Sequence, residues 1–148
     1  MITMRARTET VKRLTDYYAA MEANRPHEFG SYYAEHMTLT FGNSPEIKGR
    51  ENVTSAFREV LDRVASLGHD LVNAWEEDGG VVFFESIGRW TLHCGTVIEV
   101  KAASKITIVG GKFVDQRIYV DNAPVFEALG RENASPSAGS TLKTATHQ

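Results

Sequence analysis

Apolar residues recur three and four positions apart in two long stretches of the chain, which is the pattern of an amphipathic helix. Two shorter apolar stretches also fit helices, one of them directly after Asp121. Gly68 is expected to end the long helix that precedes it, because glycine is common just beyond a helix C-terminus. Helices are therefore predicted over residues 8–23, 27–33 and 51–66, and in a short stretch after residue 121.

Elsewhere apolar and polar residues alternate, which is the pattern of β-strands. Gly79-Gly80 and Gly110-Gly111 each separate two of these stretches and predict hairpin turns, because glycine tolerates positive φ. Strands are predicted over residues 37–41, 69–76, 81–93, 96–109 and 112–120. Helices and one strand thus precede a long antiparallel meander, and this order predicts an α+β fold.

The predicted strand over residues 81–93 carries large apolar side chains on both of its faces. One face holds Phe84, Ser86, Gly88 and Trp90, and the other holds Phe83, Glu85, Ile87 and Arg89. Both faces are therefore expected to be covered. The helices of one chain can cover one face, and a second copy is the simplest cover for the other, so we predict a homodimer through the outer sheet face. A monomer with a slightly exposed sheet is the alternative.

The composition is that of an ordinary globular protein. The chain has 148 residues, 42% of them hydrophobic, and its net charge of −3 gives no basic face for nucleic acid. No apolar run approaches the roughly 20 residues that span a bilayer. The single cysteine, Cys94, fits a reducing compartment, so we predict a cytoplasmic protein with no nucleic-acid or membrane partner. Residues 1–130 are predicted to form one domain and the polar residues 131–148 a flexible tail.

The sequence carries no pattern typical of a bound metal or cofactor. Its five histidines do not cluster at coordinating spacing. There is also no glycine-rich phosphate loop, no nucleophile elbow and no flavin or nicotinamide fingerprint. We therefore predict no metal and no cofactor.

Three segments carry a resemblance to a known family. Residues 40–50 read Thr-Phe-Gly-Asn-Ser-Pro-Glu-Ile-Lys-Gly-Arg, residues 110–113 read Gly-Gly-Lys-Phe, and residues 117–126 read Arg-Ile-Tyr-Val-Asp-Asn-Ala-Pro-Val-Phe. In order and spacing these segments resemble the SnoaL-like proteins of the nuclear transport factor 2-like superfamily. The resemblance covers residues 8–130. It implies a curved mixed or antiparallel sheet wrapped around helices to form a cone, with a pocket for a small lipophilic molecule.

The resemblance also implies roles for particular residues. Asp121 falls where SnoaL-type polyketide cyclases carry an acid/base aspartate, and where limonene epoxide hydrolase carries one of its two aspartates. Asn43 falls where that hydrolase holds its nucleophilic water. Ser86 and Gly88 stand in place of the hydrolase's arginine and second aspartate, so its mechanism does not carry over. Ketosteroid isomerase chemistry does not carry over either, since Phe41 stands in place of its base.

Each candidate has a chemical interpretation and a structural one. An aspartate that faces an apolar pocket holds its proton more readily than one in water, which suits Asp121 to proton transfer, although it can instead cap the last helix. Tyr119 can donate its hydroxyl to a carbonyl or an enolate, or can serve as a wall. Arg117 can pair with Asp121 or anchor an acidic group of a ligand. Asn43 can hold a water or be a turn residue.

The candidate site residues fall into two groups. Asp121, Tyr119 and Asn43 are predicted to be catalytic. The residues predicted to bind the substrate are Tyr17, Phe41, Trp75, Phe84, Ser86, Trp90 and Arg117. For Tyr17, core packing is the competing interpretation.

Two classes of function fit the sequence. The first is a cofactor-free isomerase, cyclase or hydratase that uses Asp121 as its acid/base on a small lipophilic substrate. The second is a non-catalytic binding protein for a small apolar ligand. A dimeric interaction module is a further alternative, which depends on the strand with two apolar faces.

Overall fold

A computed structural model describes residues 5–134 of the chain, which form four helices and six strands. The helices are α1 (Thr8–Glu22), α2 (Pro26–Gly30), α3 (Arg50–Asp62) and α4 (Ala123–Ala134). The strands are β1 (Tyr33–Phe41), β2 (Ile47–Lys48), β3 (Ser66–Glu77), β4 (Val81–Thr91), β5 (Val97–Val109) and β6 (Lys112–Val120). The predicted α+β class is confirmed.

The six strands form one curved, unclosed sheet in the order β2-β1-β6-β5-β4-β3. Strands β3 to β6 are antiparallel neighbours, as expected of a meander. Strand β1 pairs with β6 in the parallel direction, which makes the sheet mixed and brings the first strand of the chain beside the last. The sheet matches the cone that the resemblance implied.

The core lies between the sheet and helices α1 and α3. Helix α1 buries Leu14, Tyr17 and Met21, which are at most 2% exposed. Helix α3 likewise buries Val53, Phe57 and Leu61. Burial of one such side chain stabilises the folded state by about 1.5–3 kcal/mol relative to leaving it exposed. The buried residues of α1 and α3 therefore hold both helices against the sheet.

Strand β4 shows which face of the sheet is the inner one. Its even-numbered residues Phe84, Ser86, Gly88 and Trp90 are buried. Phe83 and Glu85 point the other way and are exposed. The predicted alternation of the two faces is therefore correct, and the helices cover the even-numbered face.

Several predicted boundaries differ from the structure. The predicted helix over residues 27–33 ends at Gly30, and β1 begins at Tyr33 instead of residue 37, because Tyr33 already pairs with Phe113 of β6. Helix α3 ends at Asp62, and Gly68 lies inside β3, because Ser66 and Leu67 already pair with β4 and extend the ladder toward the helix. Helix α4 continues to Ala134, beyond the predicted domain boundary at residue 130. The rest of the predicted flexible tail, residues 135–148, lies outside the described residues. No helix within residues 5–134 is long and apolar enough to cross a membrane.

Candidate functional site

A cavity of about 290 Å³ lies between the helices and the inner face of the sheet. Its walls are mostly apolar and include Leu39, Phe57, Leu61, Trp90, Val100 and Ile118. An engineered cavity of about 150 Å³ is known to hold benzene, so this one has room for a molecule of roughly two rings. The cavity is therefore of a size that suits a small organic ligand.

Polar side chains enter this cavity at only a few points. They are Tyr18 on α1, Ser44 after β1, His69 on β3, Ser86 on β4, Ser104 on β5, Gln116 on β6 and Asn122 before α4. No lysine, arginine or carboxylate is among the described residues that line the cavity. The arrangement suits a neutral ligand with one or two polar atoms.

Strand β6 presents its even-numbered residues to the cavity. Gln116 and Ile118 line it, and they pair with the inward-facing Ile106 and Ser104 of β5. Side chains on a strand alternate between faces, so Arg117 and Tyr119 point to the outer face. Nearer the hairpin a register shift between β5 and β6 interrupts the alternation, and Phe113 is buried. This alternation overturns the predicted placement of three candidate residues.

Asp121 does not face the cavity. Its side chain is exposed, and its Oδ1 accepts a hydrogen bond of 2.9 Å from the backbone N–H of Ala123, the first residue of α4. The structure therefore agrees with the alternative that this carboxylate caps the last helix.

Tyr119 and Arg117 also lie on the outer face, with the Tyr119 residue 56% exposed. Arg117 donates from Nε to Asp115 Oδ2 at 3.1 Å, and Asp115 raises the pKa of Arg117. Of the two interpretations of Arg117, the pairing with Asp121 is not observed, because Arg117 binds Asp115 and Asp121 binds the helix start. Asn43 is exposed in the turn after β1, and its neighbour Ser44 lines the cavity in its place.

The other residues predicted to bind the substrate lie in three places: the cavity, the core and the outer face of the sheet. Phe41, Ser86 and Trp90 line the cavity as expected. Tyr17 is fully buried in the core, and Phe84 is also core, packed against Tyr18 with ring centroids 5.9 Å apart. Trp75 lies on the outer face, opposite Phe83 of β4, because Ala74 takes the inward position.

The structure brings together a histidine and a glutamate that the sequence did not single out. Glu22, the last residue of α1, accepts the backbone N–H of His69 with Oε2 at 2.6 Å, and the same oxygen lies 3.2 Å from His69 Nδ1. The two side chains are only 16% and 33% exposed. They form a partly shielded carboxylate–imidazole pair on the cavity wall.

A signal for this pair was present in the sequence but incomplete. Tyr18 and Glu22 are four residues apart and so share one face of α1. The His69 ring packs against that of Tyr18, with centroids 4.3 Å apart. The contact joins residues 47 positions apart in the chain, and no local pattern reveals such a contact.

A second cavity of about 180 Å³ lies on the other side of this pair. It is lined in part by Glu22, and it shares Tyr18, His69 and Ser86 with the larger cavity. The His69 imidazole therefore lies between the two cavities.

Buried phenols lie beside the cavity. Burial raises the pKa of Tyr18, with the neighbouring Gln116 side chain acting in the opposite direction. Burial likewise raises the pKa values of Tyr17 and Tyr33, whose hydroxyl oxygens are 2.6 Å apart. All three phenols therefore keep their protons at neutral pH and can donate hydrogen bonds.

No group of three or more histidine, cysteine, aspartate or glutamate side chains within residues 5–134 is placed to hold a metal ion.

A family model described as the SnoaL-like domain matches residues 14–116, more than half of the chain. The chain belongs to the SnoaL-like family. The resemblance seen in the sequence is thereby confirmed.

Solved structures with the same fold span several described activities. A protein from a Jannaschia species, assigned by its description as a SnoaL-like polyketide cyclase, has a TM-score of 0.72 and 14% identity, and the match covers 92% of this chain and 99% of that one. A protein from Catenulispora acidiphila with a ketosteroid isomerase-like fold, in complex with trimethylamine, has a TM-score of 0.70 and 18% identity, over 80% and 92%. An M. tuberculosis epoxide hydrolase resembling limonene epoxide hydrolase has a TM-score of 0.68 and 15% identity, over 84% and 91%. At these identities the likeness shows the fold alone. No curated protein matches the sequence.

Proposed function

We propose that this SnoaL-like protein is a cofactor-free enzyme that moves a proton on a small lipophilic substrate, as an isomerase, cyclase or hydratase does. His69 is its acid/base in this proposal, in place of the exposed Asp121. The observation that carries the proposal is the imidazole on the cavity wall, held by the Glu22 carboxylate.

Glu22 prepares His69 for this role in two ways. A carboxylate 3.2 Å from Nδ1 favours the tautomer with its hydrogen on that nitrogen, which leaves the lone pair on Nε2 free to take a proton. The same carboxylate oxygen also binds the His69 backbone N–H and so fixes the position of the residue. Imidazole is the side chain best suited to move protons near neutral pH.

The surroundings of His69 support proton transfer on an apolar molecule. The mostly apolar walls of the larger cavity lower the local polarity and so strengthen polar interactions inside it. The smaller cavity gives the Glu22–His69 pair a second side through which protons can be exchanged. Relatives with this fold that are described as a polyketide cyclase and an epoxide hydrolase add support for an enzyme.

Exchange of hydrogen for deuterium on a lipophilic ketone tests the proposal. Tetralone, a two-ring ketone of suitable size, is incubated in D2O, and loss of its acidic C–H signals is followed by proton NMR. The protein should accelerate exchange above the buffer rate. His69→Asn keeps a donor near the Nδ1 position but lacks the base, so it should lower the protein-dependent rate roughly 100-fold or more.

A matched control for this experiment is His36→Asn, because His36 is exposed on β1 and does not line the cavity. It should exchange tetralone at the wild-type rate. Equal rates for the wild type and His69→Asn would contradict the assignment of His69.

A non-catalytic binding protein is the second candidate. It is favoured by the absence of any carboxylate among the described residues that line the cavity. Binding of tetralone without any exchange above the buffer rate would support this candidate over the enzyme.

We also propose that two copies pair through the outer sheet face and that the protein is cytoplasmic. Phe83 and Tyr119 are 46% and 56% exposed on that face, and Trp75 lies directly opposite Phe83. Aromatic side chains of this kind are enriched at interfaces between proteins. Cys94 is an exposed free thiol, which fits a reducing compartment.

A further inference from the structure

One side chain in the cavity has a hydrogen-bonding group that the fold does not use. Gln116 is 0% exposed, and its Nε2 has no hydrogen-bond partner among the described residues. Buried polar groups are almost always paired, and leaving one unpaired costs stability. Gln116 lines the apolar cavity, so its amide with an unpaired nitrogen is a feature that suits a ligand.

The orientation of this amide is fixed from behind by two tyrosines. The Tyr33 and Tyr17 hydroxyl oxygens are 2.6 Å apart, and the Tyr17 hydroxyl donates to Gln116 Oε1 at 3.4 Å. A phenol has one hydrogen to donate. If Tyr17 donates to Gln116, Tyr33 must donate to Tyr17, and the chain of hydrogen bonds runs from Tyr33 to the amide oxygen.

This chain of hydrogen bonds settles which end of the amide serves the cavity. Its oxygen accepts from Tyr17, which leaves the two N–H hydrogens of the nitrogen. The neighbouring Tyr18 hydroxyl can accept one of them, so at least one remains for a partner in the cavity. The site therefore offers a donor. A ligand atom that pairs with it must be an acceptor.

We propose that Gln116 is the anchor for a carbonyl oxygen, and that the cavity accordingly takes small lipophilic ketones or aldehydes. The inference rests on the proposed function, because it names the substrate class of the same site. A carbonyl oxygen accepts a hydrogen bond and carries no hydrogen that would itself need a partner. A carboxylate would need a cation, and no lysine or arginine lines the described cavity.

The position of Gln116 relative to the proposed base fits this substrate class. Tyr18 lies beside both residues, with its ring 4.3 Å from that of His69 and its phenol next to the Gln116 amide. A carbonyl oxygen held at Gln116 would thus place the adjacent carbon near the Tyr18 and His69 side of the cavity. Hydrogens on that carbon are the ones that a carbonyl group makes acidic.

A pair of ligands that differ only in the carbonyl group tests the anchor. Tetralone and its hydrocarbon counterpart tetralin are titrated into the protein, and their dissociation constants are measured by calorimetry. The wild type should prefer tetralone about 3- to 10-fold, as expected of one net hydrogen bond. Gln116→Met has similar length but no amide, and it should lose the preference while still binding tetralin.

A second variant tests the tyrosine chain and covers the case in which Gln116→Met fails to fold. Tyr17→Phe removes the hydroxyl that orients the amide but keeps the ring. It should reduce the preference for tetralone while leaving tetralin affinity unchanged, a result that a merely structural role of Tyr17 would not produce.

The outcomes separate this inference from the proposed function. His69→Asn should keep the preference for tetralone although it loses exchange. The role of Gln116 in binding is thus tested independently of the role of His69 in proton transfer. Equal affinity of the wild type for the two ligands, a preference that persists in both Gln116→Met and Tyr17→Phe, or no binding of tetralone would overturn the anchor.

Discussion

At the scale of single residues, the first turn of α4 defines what Asp121 does. Its Oδ1 accepts the N–H of Ala123 at 2.9 Å, while the carbonyl oxygen of Asn122 accepts from Val125 and Phe126 at 3.0 Å each. The N–H of Ala123, at the helix start, has no intrahelical partner, so the Asp121 carboxylate supplies one and also suits the helix dipole. These contacts make Asp121 a stabilising residue of the helix end.

Replacement of Asp121 should therefore affect stability and leave cavity chemistry unchanged. Asp121→Ala should lower the free energy of unfolding by about 1 kcal/mol, the usual effect of losing a helix cap. Urea titration measures this loss, and Asp121→Asn, which keeps an acceptor oxygen, should lose less. Exchange of tetralone should proceed at the wild-type rate in both variants. A large fall in the rate of tetralone exchange by either variant, if it folds, would indicate that Asp121 is catalytic.

The candidate site could be predicted only in part, because alternation along a strand does not say which face is inside. Arg117, Tyr119 and Asp121 were correctly grouped by their spacing of two. The pairing of β6 with β5 then decides the face, since Gln116 lies opposite the buried Ile106. On β4 the two faces were grouped correctly, and the family resemblance placed Ser86 and Gly88 on the inner one. On β6 both faces hold apolar and polar residues.

At the scale of elements, long patterns were predicted well and short or distant pairings were not. Strand β4 follows the expected alternation, and β6 runs from Lys112 to Val120 as predicted, although a register shift breaks its alternation between Phe113 and Gln116. Strand β2 has two residues, too few to show any period. The parallel pairing of β1 with β6 depends on contacts between residues such as Leu39 and Gln116, which no local signal links.

Another contact between distant elements fastens the segment before α1 to the end of β3. Arg7 donates to Glu76 from its backbone N at 3.0 Å and from its guanidinium at 2.7 and 3.0 Å. The backbone N–H groups of Arg5 and Ala6 also donate to the carbonyl oxygen of Ala74. The Arg7 guanidinium lowers the pKa of the Glu76 carboxyl from 4.5 to about 2.

This ion pair predicts a stability that depends on acidity. A carboxyl whose pKa is lowered by folding stabilises the native state above its ordinary pKa and loses that contribution as the pH falls toward about 2. Glu76→Gln should therefore unfold at a lower temperature than the wild type near neutral pH, and the difference should shrink between about pH 4.5 and about pH 2. Thermal unfolding followed by circular dichroism measures it. The exposed neighbour Glu77→Gln is the matched control, and an equal effect of both variants would contradict the assignment.

At the scale of the whole molecule, the sheet divides two tasks between its faces. The inner face, with Ser86 and Gln116, bounds the cavity. The outer face carries Trp75, Phe83 and Tyr119, and none of these lines the cavity. An interface on the outer face would thus leave the ligand site accessible. It would also stiffen the sheet that forms the cavity wall.

The proposed dimer is tested by sedimentation of the wild type, which should give twice the 16.4 kDa mass of the chain. Phe83→Lys places a positive charge directly opposite Lys105 of β5. A buried charge beside a like charge has no partner and opposes association. This variant should sediment as a monomer and still bind tetralone, because Phe83 points away from the cavity. Val109→Lys, at an exposed residue of the β5–β6 hairpin, is the control and should remain dimeric. A wild type that sediments as a monomer at micromolar concentration would rule out the dimer and leave the outer aromatic face solvated.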